Sequence, residues 1–123
     1  MSLVPDGLKY TKDHEWAKLE GAVATVGVTD HAQRELGDIV FVELPKVGAA
    51  VKAGESFGTI EAVKTVAELY APVSGTIEAV NTALSADAGV INQDPYGNGW
   101  IIKVKTAGPQ DGLMDAAAYK ALI

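Results

Sequence analysis

The octapeptide Gly58-Thr59-Ile60-Glu61-Ala62-Val63-Lys64-Thr65 recurs as Gly75-Thr76-Ile77-Glu78-Ala79-Val80-Asn81-Thr82, and the copies differ only at Lys64 against Asn81. Self-similarity constrains a fold more tightly than composition does, because both copies must satisfy similar local surroundings. Two copies are too few for a solenoid. They predict a duplicated strand, as two equivalent strands about a pseudo-two-fold axis would give; two strands converging on similar residues because they face one core would leave the same trace. In either case strand packing accounts for the glycine and the alternating apolar residues. It leaves Lys64 without a structural reason.

Thirteen glycines and five prolines divide the 123 residues into short segments that alternate apolar and polar positions, the pattern of half-buried strands joined by tight turns. Strands are expected near residues 7–10, 15–19, 23–28, 38–43, 56–63, 65–70, 75–80 and 100–104. In the last of these Trp100, Ile102 and Val104 share one face and Lys103 takes the other. Thr29 or Asp30 caps a short helix ending at Leu36, with Gly37 as its stop. Residues 111–122 read as a terminal helix that turns Leu113, Ala117 and Leu122 toward the sheet, with Ala116 and Ala121 alongside. A chain of this length suits one compact domain, residues 1–123.

The formal charge is -6 and no cluster of Lys and Arg could follow a phosphate backbone, so nucleic acid is not an expected partner. An acidic surface favours docking onto basic patches of other proteins. The chain has no cysteine, which removes disulfides, thiol catalysis and thiolate metal sites; any redox sulfur would have to be borrowed. With two histidines a metal site is not expected. His14-Glu15 opens like a zinc-protease helix, but Lys18 stands where the second histidine would be. The serines lack a histidine and acid in a convincing arrangement for hydrolysis. No apolar run approaches the roughly 20 residues that span a bilayer, and the N-terminus lacks the layout of a secretory signal. A chain that does not enter membranes is the expectation, cytoplasmic or, if the source is eukaryotic, of the mitochondrial matrix.

Lys64 falls between two strand-like runs, at a tight turn that should hold it rigid and exposed. An isolated surface lysine is ordinarily only solubilising. A rigid one without a buried base nearby is also a poor catalyst, since nothing visible lowers its pKa. It makes a good covalent attachment point.

The stretch from Gly58 through Glu61, Lys64, Glu68, Pro72 and Gly75 resembles the lipoyl-lysine hairpin of glycine cleavage H proteins, here about residues 56–70. The resemblance continues through His14-Glu15-Trp16, Val26-Gly27-Val28-Thr29-Asp30-His31-Ala32-Gln33, Leu36-Gly37-Asp38 through Pro45, Asn92-Gln93-Asp94-Pro95-Tyr96-Gly97-Asn98-Gly99-Trp100, and the closing helix. It therefore covers almost the whole chain in order. The resemblance implies a mostly β fold, a flattened barrel or sandwich hybrid of the lipoyl/biotinyl hammerhead type, with a short internal helix and a C-terminal helix. It implies lipoate attached to Lys64, with Glu61 read by the lipoate-attaching enzyme. It further implies a non-catalytic, monomeric carrier that takes an aminomethyl group from glycine decarboxylase to aminomethyltransferase and its dithiol to dihydrolipoyl dehydrogenase. Glu15, Glu68 and His31 are the implied lining of a cleft for the loaded arm. Many members have serine where this chain has Ala62, a small-for-small exchange.

Three other readings stand beside this one. A biotin carrier also exposes a hairpin lysine but flanks it with methionines, where Val63 and Thr65 stand here. The lipoyl domain of a 2-oxoacid dehydrogenase is shorter and has aspartate before the lysine and alanine after it. An H-like protein could instead act as a lipoate donor or purely as an interaction partner.

Overall fold

The computed structural model describes residues 2–108, 110 and 112–123. Its strands are β1 (Lys9–Tyr10), β2 (Glu15–Glu20), β3 (Val23–Val28), β4 (Ile39–Glu43), β5 (Ala50–Val51), β6 (Ser56–Ala62), β7 (Val66–Tyr70), β8 (Gly75–Val80) and β9 (Ile102–Thr106). The helices are α1 (Asp30–Leu36), α2 (Ala83–Ala86), α3 (Val90–Gln93) and α4 (Ala116–Leu122). Six strands form one sheet in the order β1-β2-β3-β9-β8-β5, and three form a second in the order β4-β6-β7. All the pairings are antiparallel. The fold is therefore mostly β, as the sequence implies, built from two open sheets and not from a closed barrel. Among the described residues no helix is long and apolar enough to cross a membrane.

The inner faces of the two sheets share one core, in which Val26, Ile60, Leu69, Ile77, Ile102 and Val104 are buried. Residues at the start of β2 are buried on both faces, because the strand runs between two packing layers. Ala17 joins the main core, whereas Trp16 packs with Tyr10, Ala116 and Tyr119 beneath α4. The indole lies so close over Gly27 on β3 that a Cβ there would come within 2.7 Å of its Nε1. That nitrogen donates to the Pro95 carbonyl at 3.0 Å, so the ring is buried with its one donor satisfied.

The repeat acquires a physical meaning at this level. Its two copies fall in different sheets, in β6 and β8, with the same inward phase: Ile60 and Ile77 are buried while Glu61 and Glu78 are exposed. Both glycines sit where a neighbouring strand's carbonyl crowds the backbone. A Cβ on Gly58 would lie 2.3 Å from the Glu43 oxygen, and one on Gly75 would lie 2.0 Å from the Lys105 oxygen. The position that differs has two opposite fates. Asn81 turns inward, and its Nδ2 donates to the carbonyls of Asn98 at 2.9 Å and Trp100 at 2.7 Å, whereas Lys64 is exposed at a hairpin tip.

Three expectations need correction. The last strand runs Ile102–Thr106 and not 100–104, because the Trp100 amide is taken by the Gly97 carbonyl in a preceding turn. The terminal helix starts at Ala116, where Asp115 caps it by accepting from the Ala118 amide at 2.8 Å. Ahead of it Met114 is held extended by a bridge to Tyr10, and Asp111, the expected start, lies outside the described residues. The buried face of this helix is Ala116 and Tyr119, not Ala117 and Leu122, both of which are exposed. The short elements β5, α2 and α3 were not anticipated; at two to four residues each they carry too little periodicity to stand out.

Asn81→Ala would strip the donor from two carbonyls near the core, and we expect it to cost about 1–3 kcal/mol in stability. Lys64→Ala at the repeat-equivalent position is expected to stay within about 0.5 kcal/mol of the parent. Urea unfolding of the two variants checks the contrast.

Candidate functional site

Val63, Lys64 and Thr65 connect β6 to β7, and the Ala62 amide donates to the Thr65 carbonyl at 2.8 Å across the turn. Tight hairpin turns commonly place a residue at positive φ, yet the one non-glycine residue with positive φ among the described residues is His14. The tip therefore draws support from outside itself. The Val63 amide donates to the Asp38 carbonyl at 2.9 Å, which ties the tip to the link between α1 and β4.

That link is itself braced. Asn92 on α3 donates to the Gly37 carbonyl at 2.8 Å and to the Gln33 side chain at 3.0 Å, and its Oδ1 accepts from the Ile39 amide at 2.9 Å. Gly37 ends α1 with φ 77°, a conformation that favours glycine. A Cβ at this position would reach within 3.2 Å of Lys64 Cε. The lysine stem thus passes over the C-terminal end of α1.

From that point a cleft runs between α1 and β7. Leu36 and Ala32 line it on the helix side and Ile60, Ala67 and Leu69 on the sheet side, and Glu15 and His14 complete the lining. Glu15 also borders a second cavity, between the turn at Thr11–Asp13, the Tyr70–Pro72 segment and Leu113–Met114. The Glu15 side chain is almost wholly buried, with 2% of the residue exposed. Its Oε1 accepts from the Thr11 hydroxyl at 2.6 Å and its Oε2 from the Tyr70 amide at 3.3 Å. Burial pushes its pKa up to about 7, and these two hydrogen bonds oppose the shift without cancelling it.

Behind Glu15 stands a chain of polar groups. His14 has φ 70°, and its Nδ1 lies 2.7 Å from the Tyr119 hydroxyl, which in turn is 2.8 Å from Thr29 Oγ1. Thr29 caps α1 by accepting from the Ala32 amide at 3.1 Å. One hydroxyl on the C-terminal helix thus links the strand bearing Glu15 to the helix that walls the cleft. Burial, and next the neighbouring His31, lower the pKa of His14. Burial raises that of Tyr119.

The residues singled out from the sequence are distributed as follows. Glu15 lines the cleft, and Lys64 lies outside that lining with its stem against Gly37, next to the cleft residue Leu36. Glu68 borders the cleft while its carboxylate accepts from the Ser56 hydroxyl. His31 packs on His14 with ring centroids 4.7 Å apart and opens onto a different groove, beside Val4, Lys120 and Ile123. Glu61 is exposed on the outer face of the second sheet. Thr11, Asn92 and Tyr119 escaped individual notice; each acts on a partner that sequence pattern does not place beside it, so only the folded chain brings them in.

The sequence model of the family described as Glycine cleavage H-protein matches residues 8–123. The glycine cleavage system H protein of Chlorobium limicola is 60% identical over 124 residues, covering 98% of this chain and 97% of that one. The corresponding protein of Myxococcus xanthus is 53% identical over 122 residues, with 98% and 95% covered. The crystal structure of a glycine cleavage system H protein from Mycobacterium marinum superposes with a TM-score of 0.90 at 44% identity, covering 96% of this chain and 97% of the other.

The Glu15 carboxyl is expected to titrate with a midpoint near 7 when followed by carbon NMR. The folded chain keeps a proton that the unfolded chain releases near 4.5, so this group's stabilising contribution is complete below about pH 4.5 and is lost as pH rises through about 7. Glu15→Gln should flatten that part of the stability profile. A midpoint in the ordinary carboxylate range would contradict a desolvated Glu15.

Proposed function

The chain belongs to the glycine cleavage H-protein family, and from that premise we propose that residues 1–123 act as one carrier domain whose attachment point for lipoate is Lys64. The observation that carries this reading is the placement of Lys64 on an externally braced hairpin tip, its stem against the C-terminal end of the helix that lines a cleft containing a buried carboxyl. The residues present fit such a group. Leu36, Ala32, Ile60 and Leu69 offer apolar walls to an aliphatic arm, and the lysine stem lies against Gly37, the residue after Leu36.

When attached, lipoate supplies the redox-active sulfur pair that this cysteine-free chain lacks, together with the capacity to hold an aminomethyl group in transit between enzymes. The chain itself supplies presentation and shelter. A fixed tip lets an attaching enzyme find one lysine among many, and Glu61, three residues upstream and exposed, serves as part of what that enzyme reads. Tethering raises the effective concentration of the cargo at each enzyme visited, without any new contact. The enzymes served are glycine decarboxylase, aminomethyltransferase and dihydrolipoyl dehydrogenase. The carrier performs none of the bond-making steps, visits each enzyme as a monomer and works in the cytoplasm.

Glu15 gives the cleft its selectivity for charge. A neutral arm finds a carboxyl that burial has made reluctant to ionise. An arm ending in an amine takes the proton from that carboxyl, and the resulting ammonium and carboxylate form a charge-assisted hydrogen bond shielded from water. Thr11 and the Tyr70 amide hold the carboxyl in place for either state. Glu68 at the cleft border adds negative potential, and His31 supports the wall through its packing on His14.

Intact mass with fragmentation, after incubation with lipoate, ATP and a lipoate ligase, is expected to show one lipoyl increment on Lys64, and none on Lys64→Arg. Lipoylation of the arginine variant at normal stoichiometry would overturn the assignment. Glu15→Gln is expected to fold and to accept lipoate normally but to lose the aminomethyl group several-fold faster. An unchanged lifetime would remove Glu15 from this role.

A further inference from the structure

Four exposed large apolar side chains gather around Lys64: Val40, Phe41, Val63 and Val66, exposed by 58%, 48%, 75% and 60%. Strand register explains how they come together. On the outer face of the second sheet Glu61 of β6 is flanked by Phe41 of β4 and Val66 of β7, and in the next row Thr59 is flanked by Glu43 and Glu68. The pairing of β4 with β6 slips between Ile39 and Phe41. Val40 is thereby an extra residue, and it stands exposed beside Phe41 where regular alternation would have turned one of the two inward. Val63 completes the group at the tip.

Each strand would form as well with polar β-branched residues at these positions, so the fold does not require an apolar ring here. Grouped apolar exposure of this kind marks an interaction surface. Three carboxylates, Glu43, Glu61 and Glu68, share the face with the ring, and Lys64 at its apex loses its charge once it is acylated. A surface that is apolar around the lysine and acidic behind it complements one that is apolar around an active-site opening and bordered by Arg or Lys.

We propose that the outer face of β4-β6-β7 is the docking surface for the enzyme that acylates Lys64, and that Val40, Phe41, Val63 and Val66 form its apolar contact ring. The inference rests on the carrier reading and extends it from the single residue Glu61 to a surface with a stated partner chemistry. The enzyme meets the ring with an apolar patch and meets Glu43, Glu61 and Glu68 with cations, so the lysine is selected by the face it projects from as well as by the residues beside it in sequence.

The test compares lipoylation kinetics of the parent with those of Phe41→Thr/Val66→Thr, using a lipoate ligase with lipoate and ATP. A Leu19→Thr chain, altered at an exposed apolar site on the other sheet, serves as the control. We expect kcat/KM for the double variant to fall about tenfold or more through KM, with an unchanged melting temperature and an unchanged rate of Lys64 acetylation by a small succinimidyl ester. The control should match the parent. Raising salt from about 0.05 to about 0.5 M should slow the parent several-fold by screening the carboxylates. Parental kcat/KM in the double variant would overturn the apolar ring, and a salt-independent parental rate would overturn the acidic border. If the ligase leaves the parent bare under all conditions, the carrier reading fails first and this inference fails with it.

Discussion

The side chain of Asn92 holds the corner on which the site depends. A helix that stops at Gly37 and a strand that starts at Ile39 leave a carbonyl and an amide without regular partners, and one asparagine meets both while also gripping Gln33. Asp38, inside this corner, then accepts from Val63 and so fixes a hairpin whose own turn lacks the primed geometry that would make it self-sufficient. An exposed lysine on a free hairpin would sample many directions. On this one its stem lies against Gly37, because the corner that anchors the hairpin is also the end of the helix that walls the cleft.

Glu15 shows a second balance, between burial and hydrogen bonding. Moving a carboxylate out of water is unfavourable, and two donors restore only part of the lost hydration. The outcome is a carboxyl near the middle of its titration at neutral pH, where a nearby amine can shift its charge with little further cost. The left-handed backbone of His14 and the Tyr119 hydroxyl belong to the same arrangement. They pin the start of β2 against the N-terminal cap of α1, so the floor and one wall of the cleft are connected through the C-terminal helix.

Much of the fold was legible in the sequence for local reasons. Alternation located most of the strands, and the Thr29 cap and the Gly37 stop bounded α1 as expected. The repeat isolated Lys64 by elimination, since every position that packing explains is shared with the second copy. What stayed hidden was non-local. The start of α4 depends on an extended segment paired with Tyr10, and its buried face is set by a tyrosine whose partners, His14 and Thr29, lie near the opposite terminus. The slip in β4 that turns both Val40 and Phe41 outward has no signature in β4 itself, because a bulge is a property of a strand pair. Glu15 could be named from a resemblance, but its raised pKa comes from surroundings contributed by several distant segments.

On the proposed reading, the chain's own contribution is a braced lysine tip and a cleft that recognises an amine through Glu15. The most direct measurement is carbon and methyl NMR of the lipoylated chain with its arm empty and then loaded with the aminomethyl group, at a pH near 7. Loading should move the Glu15 carboxyl signal toward the ionised form and shift the methyl signals of Leu36 and Leu69 along the cleft. Changes confined to residues 63–65, with Glu15 unmoved, would show that the arm stays in solvent and would contradict the account.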